Sequence, residues 1–368
     1  MNISQHSSCR YKVFPGIIFY CLPVLFHIPC QAYEFPEPDP PKIHFDVFEE
    51  VRAPSLVAEG VPSVEWTFHK TTDGAHPDGN EQQFIWFMNR ARANPTQEGV
   101  WLATMDDPLV DSNRDYFGVD LQILQDEFAS YSIKPPAVFD VRLYYAALEH
   151  SQYLISIDDQ NHDGQFDRID ESGFKYTSAR GNVFSYSHTA LHGHAAFNID
   201  WGYSIDGSGM QDGRGHRKAI MSLDNNYTNV GIAAVSESDT GTDVGPLVVT
   251  GNYCFANVNY SDHHNRFLVG TVWEDKDGDS IYDPGEGIGG VTVKPNQGTY
   301  YAVTGSSGGY AIPILSSGNY QVVFSGQGIP DGSSLATSIG SESVLLDFTP
   351  VRSSPKGMPM PWLHLLLK

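Results

Sequence analysis

The densest chemistry in the sequence lies in twelve residues, Asp275-Lys276-Asp277-Gly278-Asp279-Ser280-Ile281-Tyr282-Asp283-Pro284-Gly285-Glu286. Acidic residues fall at places 1, 3, 5, 9 and 12, the side-chain ligand places of a calcium loop, and the carbonyl of Ile281 takes place 7. Carboxylates packed this closely repel one another unless a cation neutralises them. Asp275, Asp277, Asp279, Ile281, Asp283 and Glu286 are therefore the expected calcium ligands. Gly278 at place 4 and Ser280 at place 6 depart from the EF-hand pattern, and the flanks Gly270-Thr271-Val272-Trp273 and Gly289-Gly290-Val291-Thr292-Val293 read as strands. The expectation is an EF-like loop between strands, with a solvated acidic turn as the alternative. Chelation is expected to destabilise residues 266–350 alone.

Nucleophilic and phosphate chemistry is poorly represented. Within the unit 80–258 no Gly-x-Ser-x-Gly elbow and no Gly-rich loop after a strand occurs, and Gly207-Ser208-Gly209 is loop chemistry. Cys254 sits in a strand-like run, Val248 to Phe255, where a buried apolar thiol is expected rather than a nucleophile. His192 and His194 form a His-x-His pair in a helical context. There the two side chains diverge by roughly 200° around the axis, which predicts His194 packed inside and His192 on the surface.

These residues need elements to hold them. From Asn80 the apolar residues Phe84, Phe87, Met88 and Ala91 recur at helical spacing until Pro95. Further helices are predicted over about 141–155, 189–201 and 214–222, followed by strands at 230–235 and 247–258. Helices first and strands later, without alternation, predict an α+β unit. Residues 259–265 read as a hinge. Beyond them, short β-type runs at 267–273, 291–295, 300–304, 310–314 and 320–324 predict a small antiparallel sandwich.

The chain has 368 residues, room for two or three domains, and a net charge of −22 that repels phosphate. Nucleic acid is accordingly not an expected partner. Arg10 and Lys12 precede a mostly apolar stretch, Val13 to Pro29, and Cys30-Gln31-Ala32 offers small residues at cleavage-site positions. Residues 1–32 thus read as a secretory signal, and the protein as secreted or displayed on a cell surface. Cys254 is the one cysteine beyond that signal, so no internal disulfide is expected. Residues 33–79, opening with Glu34-Phe35-Pro36-Glu37-Pro38-Asp39-Pro40-Pro41, read as a Pro-rich linker or N-terminal extension. The tail, 351–368, ends in an apolar run too short to span a bilayer, and no transmembrane span is expected.

Several fragments in the unit 80–258 together resemble the CAP superfamily (the cysteine-rich secretory, antigen 5 and pathogenesis-related group) in its bacterial, SCP-like form. They are Met88-Asn89-Arg90-Ala91-Arg92-Ala93-Asn94-Pro95, Ala146-Ala147-Leu148-Glu149-His150-Ser151, Asn161-His162-Asp163-Gly164, Gly181-Asn182-Val183-Phe184, Gly193 to Trp201, Gly215-His216-Arg217-Lys218-Ala219-Ile220-Met221 and Asn229-Val230-Gly231-Ile232. The resemblance implies an α-β-α sandwich with a central cleft carrying two histidines and two acidic residues. It places the histidines at His162 and His216 and one acidic residue at Asp200. The other acidic position falls at Gly181, so one carboxylate is missing. Two imidazoles across a cleft can hold a divalent metal if both are neutral, with a carboxylate to orient a ring or complete the shell. Zinc is the candidate ion, and a small apolar molecule or lipid the other candidate occupant. The loss of one acid weakens paired-carboxylate catalysis, which favours a binding protein over an enzyme. The rival reading is a metal-dependent hydrolase acting on peptide or cell-wall material, and it requires His162, His216 and Asp200 to converge within ligand distance.

The unit 266–350 resembles the B-type domain of serine–aspartate-repeat surface proteins and its collagen-adhesin relatives. The resemblance rests on Leu268-Val269-Gly270-Thr271-Val272-Trp273, the acidic loop, Thr304-Gly305-Ser306-Ser307-Gly308-Gly309-Tyr310 and Ser317-Gly318-Asn319-Tyr320. It implies an all-β, prealbumin-like sandwich acting as a spacer toward a cell-surface or extracellular matrix component. The first strand carries no lysine, so no isopeptide bond is expected.

Overall fold

The computed structural model describes residues 60–326 and 328–350. The signal at 1–32, the Pro-rich run before residue 60 and the tail 351–368 lie outside them. Helices and three sheets make up the described chain, an α+β organisation.

The helical unit opens at α1 (Gly79–Ala93), whose start is dictated by a capping box: Asp78 accepts from the N–H of Glu81, and the Glu81 carboxylate accepts from the N–H of Asp78. Asn94 then caps α2 (Pro95–Thr104), with Pro95 at its first position rather than merely ending the previous run. Next come α3 (Pro108–Phe117) and α4 (Leu121–Ala129), each capped by an aspartate, Asp107 and Asp120. The short strand β2 (Val138–Phe139) leads into α5 (Val141–Ile157) and α6 (Gln165–Glu171). After β3 (Tyr176–Ser187) come α7 (Ala190–Ile199), α8 (Gly215–Ile220), β4 (Asn229–Ser236) and β5 (Leu247–Ala256).

These strands form one sheet, β2-β4-β5-β3, in which β2 runs parallel to β4 and the rest are antiparallel. Period-two alternation on β5 sends its side chains to two helical layers. Val249 and Tyr253 join the core of α1, α7 and α8, while Cys254 and Ala256 join Leu143, Ala146 and Ile169 of α5 and α6. The sheet is thus covered on both faces. Cys254 is fully buried, and burial pushes its thiol pKa up, as expected of an inert packing residue. Gly231 lies so close to α5 that a Cβ there would sit 2.1–2.3 Å from backbone atoms of Leu143 and Tyr144, so the helix–sheet distance requires glycine.

The second unit carries β6 (Phe267–Thr271), β7 (Thr292–Pro295), β8 (Tyr300–Val303), β9 (Gly309–Pro313), β10 (Gly318–Ser325), β11 (Ser334–Ile339) and β12 (Val344–Leu345). Leu268 and Ile312 of one sheet share a core with Val293, Ala302, Val322 and Ile339 of the other. The pairing is not purely antiparallel: β12 joins β6 in parallel, and so does a strand from far upstream with β8. That strand is β1 (Val64–Glu65), which makes the sheet order β1-β8-β7-β10-β11. The described part of 33–79 is therefore built into the second unit rather than being a free linker. Trp66 packs with Phe267, Val269 and Ala311.

The predicted hinge at 259–265 is also fastened. His263 is buried, accepts from the N–H of Lys175 (2.7 Å) and donates to Asp262 (2.7 Å). Asn265 exchanges hydrogen bonds with Ala256 and accepts from Thr228 (2.6 Å). Composition signalled a polar turn there, and Asp262, His263 and Asn265 are spent on neighbours, whereas Nε2 of His264 is buried without a hydrogen-bond partner.

The two units meet along α1. Gln82 donates to the hydroxyl of Thr271 (2.9 Å), Trp86 meets Trp273 edge-on at 5.9 Å, and Asp347 accepts from the N–H of Thr271 (2.8 Å) and from the side chain of Trp86. Burial pushes the Asp347 carboxyl up to about 6, against the pull of those two donors. A carboxyl whose folded pKa exceeds its unfolded value contributes stability below about pH 4 and loses it as the pH rises through about 6. Two pKa units set a ceiling of about 3 kcal/mol on that loss. Asp347→Asn is therefore expected to gain on the native protein in urea unfolding at pH 7 and not at pH 4. The same difference at both pH values would show that Asp347 carries no such charge cost.

Candidate functional site

His162 lies in the turn between α5 and α6. Gly164, left-handed at φ 71°, ends that turn and starts α6. The turn is pinned from behind: His150, fully buried on α5, donates from Nε2 to the carbonyl of Asn161 (3.1 Å), and Arg168 donates to the carbonyl of Asp163 (3.1 Å). Burial holds His150 down to about 4, so it is a neutral strut. The ring of His162 is exposed at its edge, with its Nδ1 2.7 Å from Oε1 of Gln165. Crowding by the surrounding protein lowers its pKa; the hydrogen bond to Gln165 opposes this and the charge of His216 adds to it.

Gln165 is a site residue that the sequence did not flag. It is fully buried, and its Nε2 donates to Oδ1 of Asn252 (2.8 Å) and to the carbonyl of Gly251 (3.3 Å). Its amide lies directly over Gly181: a Cβ built there would sit 2.6 Å from Cδ, Nε2 and Oε1 of Gln165. The space beside Gly181 is thus filled by an amide from another element. The signal available beforehand was the missing acid itself, which leaves a buried histidine partner to be found elsewhere.

His216 sits at the start of α8, against the end of α7. Asp200 caps α7 in the left-handed conformation (φ 57°) and is fully buried. One carboxylate oxygen accepts from Nδ1 of His216 (2.7 Å), the other from the backbone N–H groups of His216 (3.0 Å) and Arg217 (3.4 Å). The carboxylate therefore both orients the ring and satisfies the first donors of α8. Burial pushes the His216 pKa down, but the charge and hydrogen bond of Asp200 outweigh it and leave it raised. Phe197 stacks on the ring at 5.9 Å, and Asn182 on β3 donates to the His216 carbonyl (3.0 Å).

Adjacent β3 residues thus touch both halves: Gly181 lies under the Gln165 amide that holds His162, and Asn182 holds His216. Nε2 of neither histidine has a hydrogen-bond partner among the described residues. His162, Asp200 and His216 do not form a compact triad, however. Among the described residues, the sets of three with ligand atoms within 4.8 Å of one another are His76, Asp78 and Glu81; Asp275, Asp277 and Glu286; and Asp277, Asp279 and Asp283. The convergence that a three-ligand hydrolase needs is absent. Two concavities among the described residues also lie elsewhere, one between α1 and β6 and one beside His76, Tyr144 and Tyr145.

His194 is packed inside as expected, 2.8 Å from Glu98, which also takes a two-pronged bond from Arg90 at 3.0 Å. His192 is not on the surface. It is 3% exposed, stacks on Trp201 at 5.6 Å, and burial lowers it to about 4. Angular divergence on α7 does not separate inside from outside, because neighbouring elements cover the helix all round: every residue but Leu191 is buried.

In the acidic loop the carboxylates of Asp275, Asp277, Asp279 and Glu286 all accept backbone N–H groups of their own turn, including that of Ile281 onto Asp279 (2.7 Å). Asp283 is raised by burial and then by the like charges of Asp279, Glu286 and Asp277. The loop is docked on α1: Gln83 donates to the carboxylate of Asp283 (2.7 Å) and to the carbonyl of Tyr282 (2.9 Å).

No family model matches the chain, and no curated protein matches it. Among solved structures, it is similar to the crystal structure of an extracellular protein containing a SCP domain from Bacillus anthracis str. Ames, at 15% identity and a TM-score of 0.25. The match covers 41% of this chain and 45% of that one, so it spans less than half of that protein's length. A likeness of this size carries no weight for fold or activity. Among the described residues no helix is long and apolar enough to cross a membrane.

Proposed function

We propose that the chain is an exported binding protein whose helical unit is of the CAP type and whose cleft takes a divalent transition ion, zinc foremost, through Nε2 of His162 and His216. The observation that carries this reading is the matched state of the two rings: each has Nδ1 committed to a partner inside the protein and Nε2 without one. That is the arrangement in which an oriented imidazole serves as a metal ligand. The donor types suit such an ion, since imidazole is a zinc ligand and solvent completes the shell of an open site. The reading is of a binder rather than a catalyst because the second carboxyl position holds Gly181 covered by an amide, which moves no proton at neutral pH. A small apolar molecule or lipid is the other occupant proposed for this cleft. The β-unit is proposed as a calcium-stiffened, prealbumin-like B-type spacer, with Asp275, Asp277, Asp279, Ile281, Asp283 and Glu286 as ligands, facing a cell-surface or matrix component.

Calorimetric titration with zinc tests the cleft. The native protein is expected to bind, and His216→Ala or His162→Ala to weaken binding at least tenfold, because each removes one of two imidazole ligands. Equal affinity in all three proteins would place the ion elsewhere.

A further inference from the structure

The hydrogen-bond chain behind His162 has a fixed direction, and that direction determines which nitrogen of the ring carries hydrogen. The chain starts at the backbone carbonyl of Leu143, which can only accept. Nδ2 of Asn252 donates to it (3.2 Å), which leaves Oδ1 of Asn252 facing Gln165. An oxygen there requires a donor, so the nearer atom of Gln165 is Nε2, at 2.8 Å, with a second acceptor at the Gly251 carbonyl. Oε1 of Gln165 is then the atom turned to His162, and Nδ1 of that ring must donate to it across 2.7 Å. Neither amide can flip without setting two donors or two acceptors against each other inside a fully buried cluster, since Gln165 and Asn252 are both 0% exposed.

We infer that Gln165 is the positioning residue of His162: reaching across Gly181, it fixes the ring as the Nδ1–H form and keeps the Nε2 lone pair for the cleft's ligand. Gly181 belongs to the same device, because any side chain there would displace the Gln165 amide. The two histidines are held alike in geometry but by different chemistry, His216 by a carboxylate and His162 by a neutral amide. The inference deepens the proposed histidine cleft, yet the state of the ring is set by the protein alone and is read without any metal.

The test is long-range ¹H–¹⁵N NMR of ¹⁵N-histidine-labelled full-length protein, metal-free, at about pH 8, where an ordinary imidazole is neutral. His162→Gln identifies the His162 signals among the 14 histidines. The native protein is expected to show the Nδ1–H pattern for His162 and Gln165→Leu to lose it. Zinc affinity in Gln165→Leu is expected to fall about 10- to 100-fold, the range for losing a partner behind a ligating imidazole. A native His162 in the Nε2–H form overturns the assignment whether or not any variant folds. So does a folded Gln165→Leu with the native pattern. A native protein that shows Nδ1–H but binds no zinc overturns the metal reading and leaves the role of Gln165 standing.

Discussion

Replacing Arg217 with alanine is expected to lower the melting temperature by roughly 6–20 °C. Arg217 is fully buried at the junction of α7, α8 and α4. Its guanidinium donates to the carbonyls of Asn198 and Ile199 (2.7 Å for the latter), pairs with Glu127 and lies 5.0 Å from the ring of Phe128. Truncation strands the last carbonyls of α7, at about 1–3 kcal/mol for each buried acceptor and so about 3–5 kcal/mol in all; Glu127, 30% exposed, keeps Arg214 as a partner. At about 2–4 °C per kcal/mol for a protein of this size, the quoted range follows. Arg217→Lys is expected to recover only part of it, because an ammonium cannot reach two carbonyls and a carboxylate in one plane. The two carbonyls immediately precede Asp200, so zinc affinity should fall with stability. A calorimetric melting point within about 3 °C of the native value for Arg217→Ala would contradict the whole account of this junction.

Chelating calcium is expected to lower the unfolding temperature of both units together. The sequence alone predicts an effect confined to residues 266–350. The structure changes that expectation, because Gln83 of α1 grips Asp283 and the carbonyl of Tyr282, while Tyr282 in turn donates to the carbonyl of Ser307 (2.9 Å). An ion at 100 times its dissociation constant stabilises the state that binds it by about 2.7 kcal/mol, or roughly 5–11 °C here. Differential scanning calorimetry with and without EGTA reads the shift. In Gln83→Leu the response of the helical unit should shrink while that of the β-unit stays, since Gln82 and Trp86 still tie α1 to the β-unit. Melting that ignores chelator in the native protein would remove calcium from the loop.

What the sequence made legible divides along physical lines. α1, α5 and the strands β4 and β5 are long and periodic, so their burial pattern is written in their residue order, and the observed bounds differ from the expected ones by no more than two residues. The helices α2, α3 and α4 were missed because each is only nine or ten residues long and is defined as much by its aspartate or asparagine cap as by any apolar stripe. β3 escaped because Arg180, Gly181 and Asn182 break its apolar alternation, and those residues are spent on Asp224, Gln165 and His216 rather than on a core. At the site, Asp200 and His216 were both singled out from the sequence, and their side chains lie 2.7 Å apart. Gln165 was not, since nothing local in Gly164-Gln165-Phe166 announces that the side chain will lie over a glycine sixteen residues later. β1 was invisible for the same reason: two residues, Val64 and Glu65, are strand only because Tyr300 and Tyr301 lie beside them.

That two-residue pairing has a mechanical consequence. The chain passes through the β-unit at Val64–Glu65, makes the whole helical unit, and returns to the β-unit at Phe267, where Trp66 and Phe267 pack together at a ring separation of 6.2 Å. Tension applied between residues 60 and 350 is therefore borne first by the β1–β8 and β6–β12 contacts, and the helical unit hangs as a side loop outside the line of pull. Only after β1 shears from β8 and Trp66 leaves its cluster does force reach α1. The segments that carry His162 and His216 are thus shielded from stretching by a fastening whose rupture would be the first step in a force–extension trace.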